Sequence, residues 1–150
     1  MYMRPFQEKD KDSIINLSDR FSDIPFMEYR NREDMEQKQL ELAKSSVSSS
    51  SSDIFVAEQD DKFLGYIELT EERDYFTNVR IAYISAIAVT SAGEGKGIGK
   101  MLMSKAEKWC LDKGCKHLVL DVFKANDNAI NFYKYLGYEE EIVKMVKTLE

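Results

Sequence analysis

The segment Gly93-Glu94-Gly95-Lys96-Gly97-Ile98-Gly99-Lys100 decides how this chain is interpreted. It follows an apolar run, residues 84–89, and precedes residues 100–113, whose apolar side chains recur at helical spacing. Glycines let a backbone approach a ligand closely, and the first turn of a helix offers unpaired N–H groups to an anion. The pattern therefore predicts a strand, a turn able to hold a diphosphate, and a helix. A plain glycine turn is the alternative.

Two well-known phosphate-binding patterns fit this segment less well. A nucleotide-binding loop of the Gly-x4-Gly-Lys-Ser/Thr type needs a hydroxyl after the lysine, but Met101 follows Lys100. A dinucleotide-binding fold places its glycines after the first strand, with an acidic residue roughly 20 positions further on. Here the glycines come after about four predicted strands. Both interpretations are disfavoured.

On both sides of the glycines, alternating and β-branched segments predict strands. Residues 54–58 and 62–69 flank Asp60-Asp61 and indicate a hairpin. Residues 79–89 are apolar on both faces, which is typical of a central strand. The other predicted strands are an edge strand at 2–6, a buried strand at 118–122 and a last strand at 142–149.

Helical spacing occurs at residues 10–20, 31–44 and 100–113, and a further helix is predicted to be capped by Asn126 or Asp127. Residues 45–52 contain seven serines and predict a flexible loop. The chain is therefore expected to form one α/β domain over residues 1–150, with a central mixed sheet flanked by helices.

Composition excludes several classes of protein. The 150 residues carry a formal charge of −6, which argues against nucleic acid as a partner. No apolar run is long enough to span a membrane, and the N-terminus lacks the apolar core of a signal peptide, so we expect a cytoplasmic protein with no membrane partner. Cys110, Cys115 and His117 lack the number and spacing of zinc ligands, so no metal is predicted.

The glycine segment also resembles a motif of the GNAT superfamily of acyl-CoA-dependent N-acyltransferases. That motif is Arg/Gln-x-x-Gly-x-Gly/Ala, and its three specified positions correspond to Glu94, Gly97 and Gly99. A second family signature, Asn-x-x-Ala-x-x-Phe-Tyr-x-x-x-Gly-Phe, is similar to residues 126–138. The resemblance covers nearly the whole chain. It implies a single N-acetyltransferase domain over residues 1–150 with a mixed, mostly antiparallel sheet.

The resemblance also implies a set of site residues. The pantetheine arm of the cofactor would pair with the backbone of the fourth strand, and the N–H of Ile87 or Ala88 would face the thioester oxygen. Tyr133 matches the family's general acid, which protonates the departing thiolate. The implied cofactor-binding residues are Ile87, Ala88, Val89, Gly95, Lys96, Gly97, Ile98, Gly99, Lys100 and Asn126.

Two departures from the family pattern concern the chemistry. Glu94 stands where the family has Arg or Gln, and places a carboxylate near the expected diphosphate. Ser85 stands where many relatives have a glutamate that acts as a base through water. The general base is therefore left open. The alternatives are Glu28, Glu68, Glu71 and Glu72, or a water relayed past Tyr83 and Ser85.

The resemblance predicts an N-acetyltransferase that moves an acetyl group from acetyl-CoA to a primary amine of a small molecule or peptide. The predicted acceptor-side residues are Glu28, Tyr83 and Ser85, and Phe26 and Tyr29 are predicted to form an aromatic wall beside Glu28. Family members commonly form dimers, so a homodimer is also implied. The alternatives are a non-catalytic acyl-CoA-binding regulatory module and a nucleotide-binding protein that uses the same glycines.

Overall fold

One five-stranded sheet organises the computed structural model, which describes residues 1–150. The strands lie side by side in chain order, and every neighbouring pair is antiparallel except β4 and β5, which are parallel. This confirms the predicted mixed, mostly antiparallel sheet. The strands are β1 (Tyr2–Pro5), β2 (Asp53–Gln59), β3 (Lys62–Arg73), β4 (Arg80–Val89) and β5 (Leu118–Leu120).

The β2–β3 hairpin forms where it was predicted. Its two turn residues, Asp60 and Asp61, have φ values of 51° and 61°. A two-residue turn with positive φ at both positions matches the right-handed twist of the strands that it joins, and aspartate tolerates this conformation better than most residues. The hairpin aligns Phe55 with Ile67. This register places the apolar residues of the two strands in common layers.

Helices cover both faces of the sheet, as predicted. One face, which includes Ile67 and Leu69, packs against α3. The opposite face, which includes Tyr66 and Ala88, packs against α1 and the end of α2. None of the helices combines the length and the apolar composition that a membrane crossing requires. The helices are α1 (Lys11–Asn16), α2 (Arg32–Ser48), α3 (Ile98–Asp112) and α4 (Asp127–Tyr135).

The serine tract is only partly a loop, so the prediction for residues 45–52 is wrong for its first half. α2 continues to Ser48, whose hydroxyl donates to the Lys44 carbonyl one turn back at 2.8 Å, and the Ser46 hydroxyl lies 2.9 Å from the Leu42 carbonyl. Val47 lies buried in the core between α1 and the sheet. Burial of this side chain compensates for the low helix propensity of its serine neighbours, because tertiary packing overrides propensity.

The end of the chain also differs from the prediction. The strand predicted at residues 142–149 does not form, and Ile142 and Met145 are 75% and 89% exposed. The strand predicted at 118–122 has only three residues, and Val119 is exposed rather than buried. An alternating pattern requires a neighbouring strand for its backbone hydrogen bonds. No strand adjoins the outer edge of β5.

Candidate active site

The sheet opens into a fork between β4 and β5. These strands pair over three positions only, and the last pair is Ile84 with Leu120. β4 continues through residues 85–89 beside β3, while its other edge has no neighbouring strand. Backbone groups on that free edge are therefore available to a ligand that adds to the sheet as a further strand would.

Two hydrogen bonds show which backbone groups face the fork. The Ala82 N–H donates toward the β5 side, to the His117 carbonyl at 3.0 Å, whereas the Thr90 N–H donates to the Leu64 carbonyl at 2.9 Å, on the β3 side. Because N–H groups alternate between the two edges of a strand, counting back from Thr90 places the N–H groups of Ile87 and Val89 at the fork. By the same alternation, the Ala88 N–H points toward β3.

A β-bulge explains why Ala82 and Thr90 donate in opposite directions. Leu69 pairs with Ile84 and Glu68 pairs with Ala86, so Ser85 is the extra residue. Ser85 lies directly after the last β4–β5 pair and is exposed. The bulge thus places a hydroxyl at the point where the two strands separate.

Tyr83 reaches across the sheet to the segment after β5. Its hydroxyl donates to Asp121 Oδ2 at 2.6 Å. Burial, together with this hydrogen bond to a carboxylate, raises the pKa of Tyr83 well above its ordinary value. The phenol therefore stays protonated at neutral pH and holds β4 and the chain beyond β5 together beside the fork.

The glycine segment forms an open turn at the N-terminus of α3. Gly95 and Gly97 have φ values of 74° and 75°, and a Cβ at either position would meet no atom within 4 Å. Gly97 caps the helix without a side-chain hydrogen bond, and the first intrahelical bond runs from Met101 N–H to the Gly97 carbonyl at 3.1 Å. The N–H groups of residues 97–100 consequently have no partner within the helix, an arrangement that attracts anions.

Glu94 is exposed and forms an ion pair with another residue of this chain. Its carboxylate forms an ion pair with Arg20, which lies in a 3-10 turn at Ser18–Phe21, and Arg20 also donates to Ser91 Oγ at 3.3 Å. Sequence reasoning missed Arg20, because 74 residues separate it from Glu94 and no local pattern connects them. Arg20 also lines a polar cavity of about 440 Å³ beside Ser91. This cavity includes neither Ile87 nor Tyr133.

α4 brings the predicted acid against the same core as β4. Asn126 caps α4, because its side-chain oxygen accepts the Ala129 N–H at 3.3 Å. Tyr133 is half-buried beside Tyr138, with ring centres 6.0 Å apart, and burial raises its pKa. Phe132 packs on Gly99, where a Cβ would lie 3.3 Å from the ring. That contact fixes α4 against the first turn of α3.

Phe26 and Tyr29, which were predicted to form an aromatic wall, lie beside arginine side chains. The guanidinium of Arg32 lies 5.2 Å from the Phe26 ring centre, and that of Arg30 lies 4.9 Å from the Tyr29 ring centre. Glu28 is exposed. The two aromatic residues that were predicted to contact an ammonium group are therefore already in contact with arginines of this chain.

The remaining base candidates are in different surroundings. Glu71 forms an ion pair with Arg80 at 3.1 Å, and Glu72 is exposed. Glu68 is buried, and its carboxylate accepts hydrogen bonds from serine hydroxyls of three elements. These donors are Ser46 of α2 at 3.0 Å, Ser52 of the following loop at 2.7 Å and Ser85 of β4 at 2.8 Å.

Comparison with known proteins identifies the family of this chain. Residues 13–138 match the model of the acetyltransferase (GNAT) family. The chain is similar to the uncharacterized N-acetyltransferase YhfO of Bacillus subtilis, with 26% identity over 141 residues, which cover 94% of this chain and 91% of that relative.

Solved structures share the whole fold. A putative acetyl transferase from Pyrococcus furiosus superposes with a TM-score of 0.79 and 30% identity over 99% of both chains. The fold is also that of the aminoglycoside N-acetyltransferase AAC(6')-Iy solved in complex with CoA, at a TM-score of 0.69, 18% identity and 98% coverage of both chains. By the extent of the family match and by its fold, this chain belongs to the acetyltransferase (GNAT) family and is an N-acetyltransferase.

Proposed function

We propose that this chain transfers an acetyl group from acetyl-CoA to the primary amine of a small molecule or a peptide. The observation that carries the proposal is the β4–β5 fork, where the free N–H groups of Ile87 and Val89 lead directly into the glycine turn of residues 93–97. A cofactor that has both an amide-containing arm and a diphosphate needs these two features in this order.

In this proposal the cofactor lies along the free edge of β4. The pantetheine amides pair with the backbone of Ile87 and Val89, and the diphosphate lies against the N–H groups of Gly97, Ile98, Gly99 and Lys100. Gly95 lets the turn pass close to the phosphates, and Lys96 and Lys100 add positive charge. Asn126 is committed to the cap of α4, so its contribution is to shape the groove beside the pantetheine arm.

The acyl transfer itself follows from this placement. The amine nitrogen attacks the thioester carbon, a C–N bond forms, and the C–S bond breaks as the electron pair leaves on sulfur. The Ile87 N–H stabilises the carbonyl oxygen as it becomes negative, because it faces the fork, whereas the Ala88 N–H faces β3. Ile87 is therefore the better donor of the two residues predicted for this role.

Tyr133 is the proposed source of the proton for the leaving thiolate. Burial raises its pKa above the ordinary value of 10.0, so the phenol is protonated over the whole neutral range. A thiol is a stronger acid than a phenol, so a phenol gives its proton to a finished thiolate only at a cost in free energy. The hydrogen bond from the phenol is most useful while negative charge builds up on sulfur. The role of Tyr133 is thus to donate a hydrogen bond, and then its proton, as the C–S bond breaks.

The proposal is tested by the release of free thiol from acetyl-CoA in the presence of pooled small amines or pooled peptides. We expect release that depends on one of the two pools. Tyr133→Phe should lower kcat by about 10²-fold or more and leave the affinity for acetyl-CoA nearly unchanged. Thiol release by Tyr133→Phe at the wild-type rate would remove Tyr133 from the mechanism.

The same assay separates the alternatives. A non-catalytic acyl-CoA-binding module would bind acetyl-CoA, measured by calorimetry, and would release no thiol with any acceptor. A nucleotide-binding protein would lose bound acetyl-CoA on addition of ATP. Acceptor-dependent thiol release that is insensitive to ATP supports the transferase and contradicts both alternatives.

A further inference from the structure

Two buried glutamates of the sheet differ in what surrounds them. Glu58 of β2 is 2% exposed and forms an ion pair with Arg4 at 3.0 Å, which holds its pKa at about 2. Glu68 of β3 is 6% exposed and takes part in no ion pair; all of its side-chain hydrogen-bond partners are neutral hydroxyls. Burying a carboxylate without a cation is costly, which makes Glu68 the unusual member of the pair.

Of the three hydroxyls around the Glu68 carboxylate, only that of Ser85 connects it to the fork. Ser52 donates to Oε2 at 2.7 Å, and Ser46 and Ser85 approach Oε1 at 3.0 and 2.8 Å. Ser46 also lies 2.9 Å from the Leu42 carbonyl, so it has another acceptor for its single proton. The donors from α2 and from the loop hold the carboxylate in place, while Ser85 is exposed and connects it to the fork.

Ser85 is the only one of these serines on β4, and the bulge gives it a special position. It is the first residue after the last β4–β5 pair and lies two residues before Ile87, whose N–H faces the fork. Because its hydroxyl proton points to Glu68, the lone pairs of its oxygen are free for a donor that comes from outside. An amine or ammonium group is such a donor.

We propose that Ser85 and Glu68 form a proton relay for the acceptor amine, in which Ser85 contacts the amine and Glu68 receives the proton. This inference rests on the proposed function, because it places the thioester beside Ile87. The negative charge of Glu68, which no cation of the chain neutralises, attracts a cationic acceptor to this end of the fork. Glu68 acts through Ser85 and is therefore also a positioning residue.

An ammonium acceptor loses two protons in the whole reaction. The first passes to Ser85 Oγ as the hydroxyl proton of Ser85 moves to Glu68, and Glu68 later releases it to solvent. The neutral amine then forms the C–N bond and gives up its second proton as the C–S bond breaks. The thiolate takes the proton of Tyr133, and the second amine proton, passed through solvent, restores the Tyr133 hydroxyl. No oxidant, metal or further reactant takes part.

The test compares Glu68→Gln and Ser85→Ala with the wild type, and uses Glu41→Gln, an exposed glutamate of α2, as a matched control. With an amine that supports wild-type thiol release, we expect each relay variant to lose about 10²-fold or more in kcat. The dissociation constant for acetyl-CoA should change by less than about twofold in every variant. Glu41→Gln should retain wild-type kcat.

A rescue variant distinguishes the relay from a structural role. In Glu68→Gln/Ser85→Glu the carboxylate moves from β3 to the bulge of β4, where it faces the fork directly. We expect this double variant to regain at least about tenfold in kcat over Glu68→Gln, because a carboxylate again reaches the amine. A purely structural network would not be repaired by a longer, charged side chain at position 85.

Each other outcome overturns the inference. If Glu68→Gln keeps kcat within about threefold of the wild type, the relay is wrong and the proposed function stands. If affinity for acetyl-CoA or the melting temperature falls in parallel with kcat, the serines and Glu68 are structural. If the wild type binds acetyl-CoA but releases no thiol with any amine, the proposed function fails, and the relay fails with it.

Discussion

Replacing Gly97 with alanine tests the diphosphate turn more directly than any change of charge would. Gly97 has a φ of 75°, and a Cβ there would touch nothing within 4 Å, so the variant introduces conformational strain without a clash. The left-handed region costs an L-residue roughly 1–2 kcal/mol. Because the N–H groups of Gly95, Lys96 and Gly97 donate no hydrogen bond within the chain, we expect the turn to relax in the free protein and to regain the strained shape only when ligand binds.

We expect Gly97→Ala to bind acetyl-CoA more weakly than the wild type, with little loss of stability. A cost of roughly 1–2 kcal/mol corresponds to a dissociation constant about 5- to 30-fold higher, measured by isothermal titration calorimetry. The melting temperature should change little, since the relaxed turn carries no strain in the free protein.

Gly114→Ala is the matched control. Gly114 also has a positive φ, 80°, but it lies at the opposite end of α3, where its N–H donates to the Leu111 carbonyl at 3.0 Å. The Cys115 N–H also donates to the Cys110 carbonyl at 3.0 Å, so two hydrogen bonds hold this turn, and the strain persists in the folded state. We expect the melting temperature to fall by about 2–8 °C and the affinity for acetyl-CoA to stay unchanged. Unchanged acetyl-CoA binding by Gly97→Ala would refute the assignment of this turn to the cofactor.

Two further predictions concern charge. The free energy of unfolding should fall as the pH rises above about 10, because the unfolded chain releases phenol protons first while burial raises the folded-state pKa of four tyrosines. These are Tyr66, Tyr83, Tyr133 and Tyr138. Thermal unfolding between pH 8 and 11 measures this effect. Tyr138→Phe removes a buried hydroxyl that has no hydrogen-bond partner, so this variant should lose less stability over that pH range. A loss of stability equal to that of the wild type would contradict the prediction. Separately, Arg20→Ala should raise the dissociation constant for acetyl-CoA about two- to fivefold, because it leaves the Glu94 carboxylate unpaired near the diphosphate. Arg20→Ala/Glu94→Gln should restore wild-type affinity in the same titration. If affinity is not restored, this role of Arg20 is refuted.

Much of the fold was predictable because its signals are local. The hairpin turn at Asp60-Asp61, the cap of α4 at Asn126 and the glycine turn before α3 each depend on residues within a few positions of one another. Helix caps and two-residue turns are determined by short-range backbone geometry, which a sequence displays directly. The same holds for the two family motifs, which identified the family and the enzyme class.

The errors occurred where structure depends on a distant partner. The serines of residues 45–48 form helix because Val47 is buried against elements far away in the chain. The alternating pattern of residues 142–149 is a correct local signal for a strand, but no neighbouring strand pairs with it. A strand exists only when another strand satisfies its backbone, and a sequence pattern does not show whether that strand is present.

Sequence alone was enough to infer the glycine turn, the family and the order of helices and strands up to α4. The surroundings of the charged groups are visible only in the folded chain, where Arg20 lies beside Glu94, and Ser46, Ser52 and Ser85 surround Glu68. The direction of the Ile87 N–H, toward the fork, likewise depends on a bulge in β4 that is visible only in its pairing with β3. Chain-local geometry fixes turns and caps, whereas the partners of a buried charge come from whichever distant segments the packed sheet and helices bring within hydrogen-bond distance.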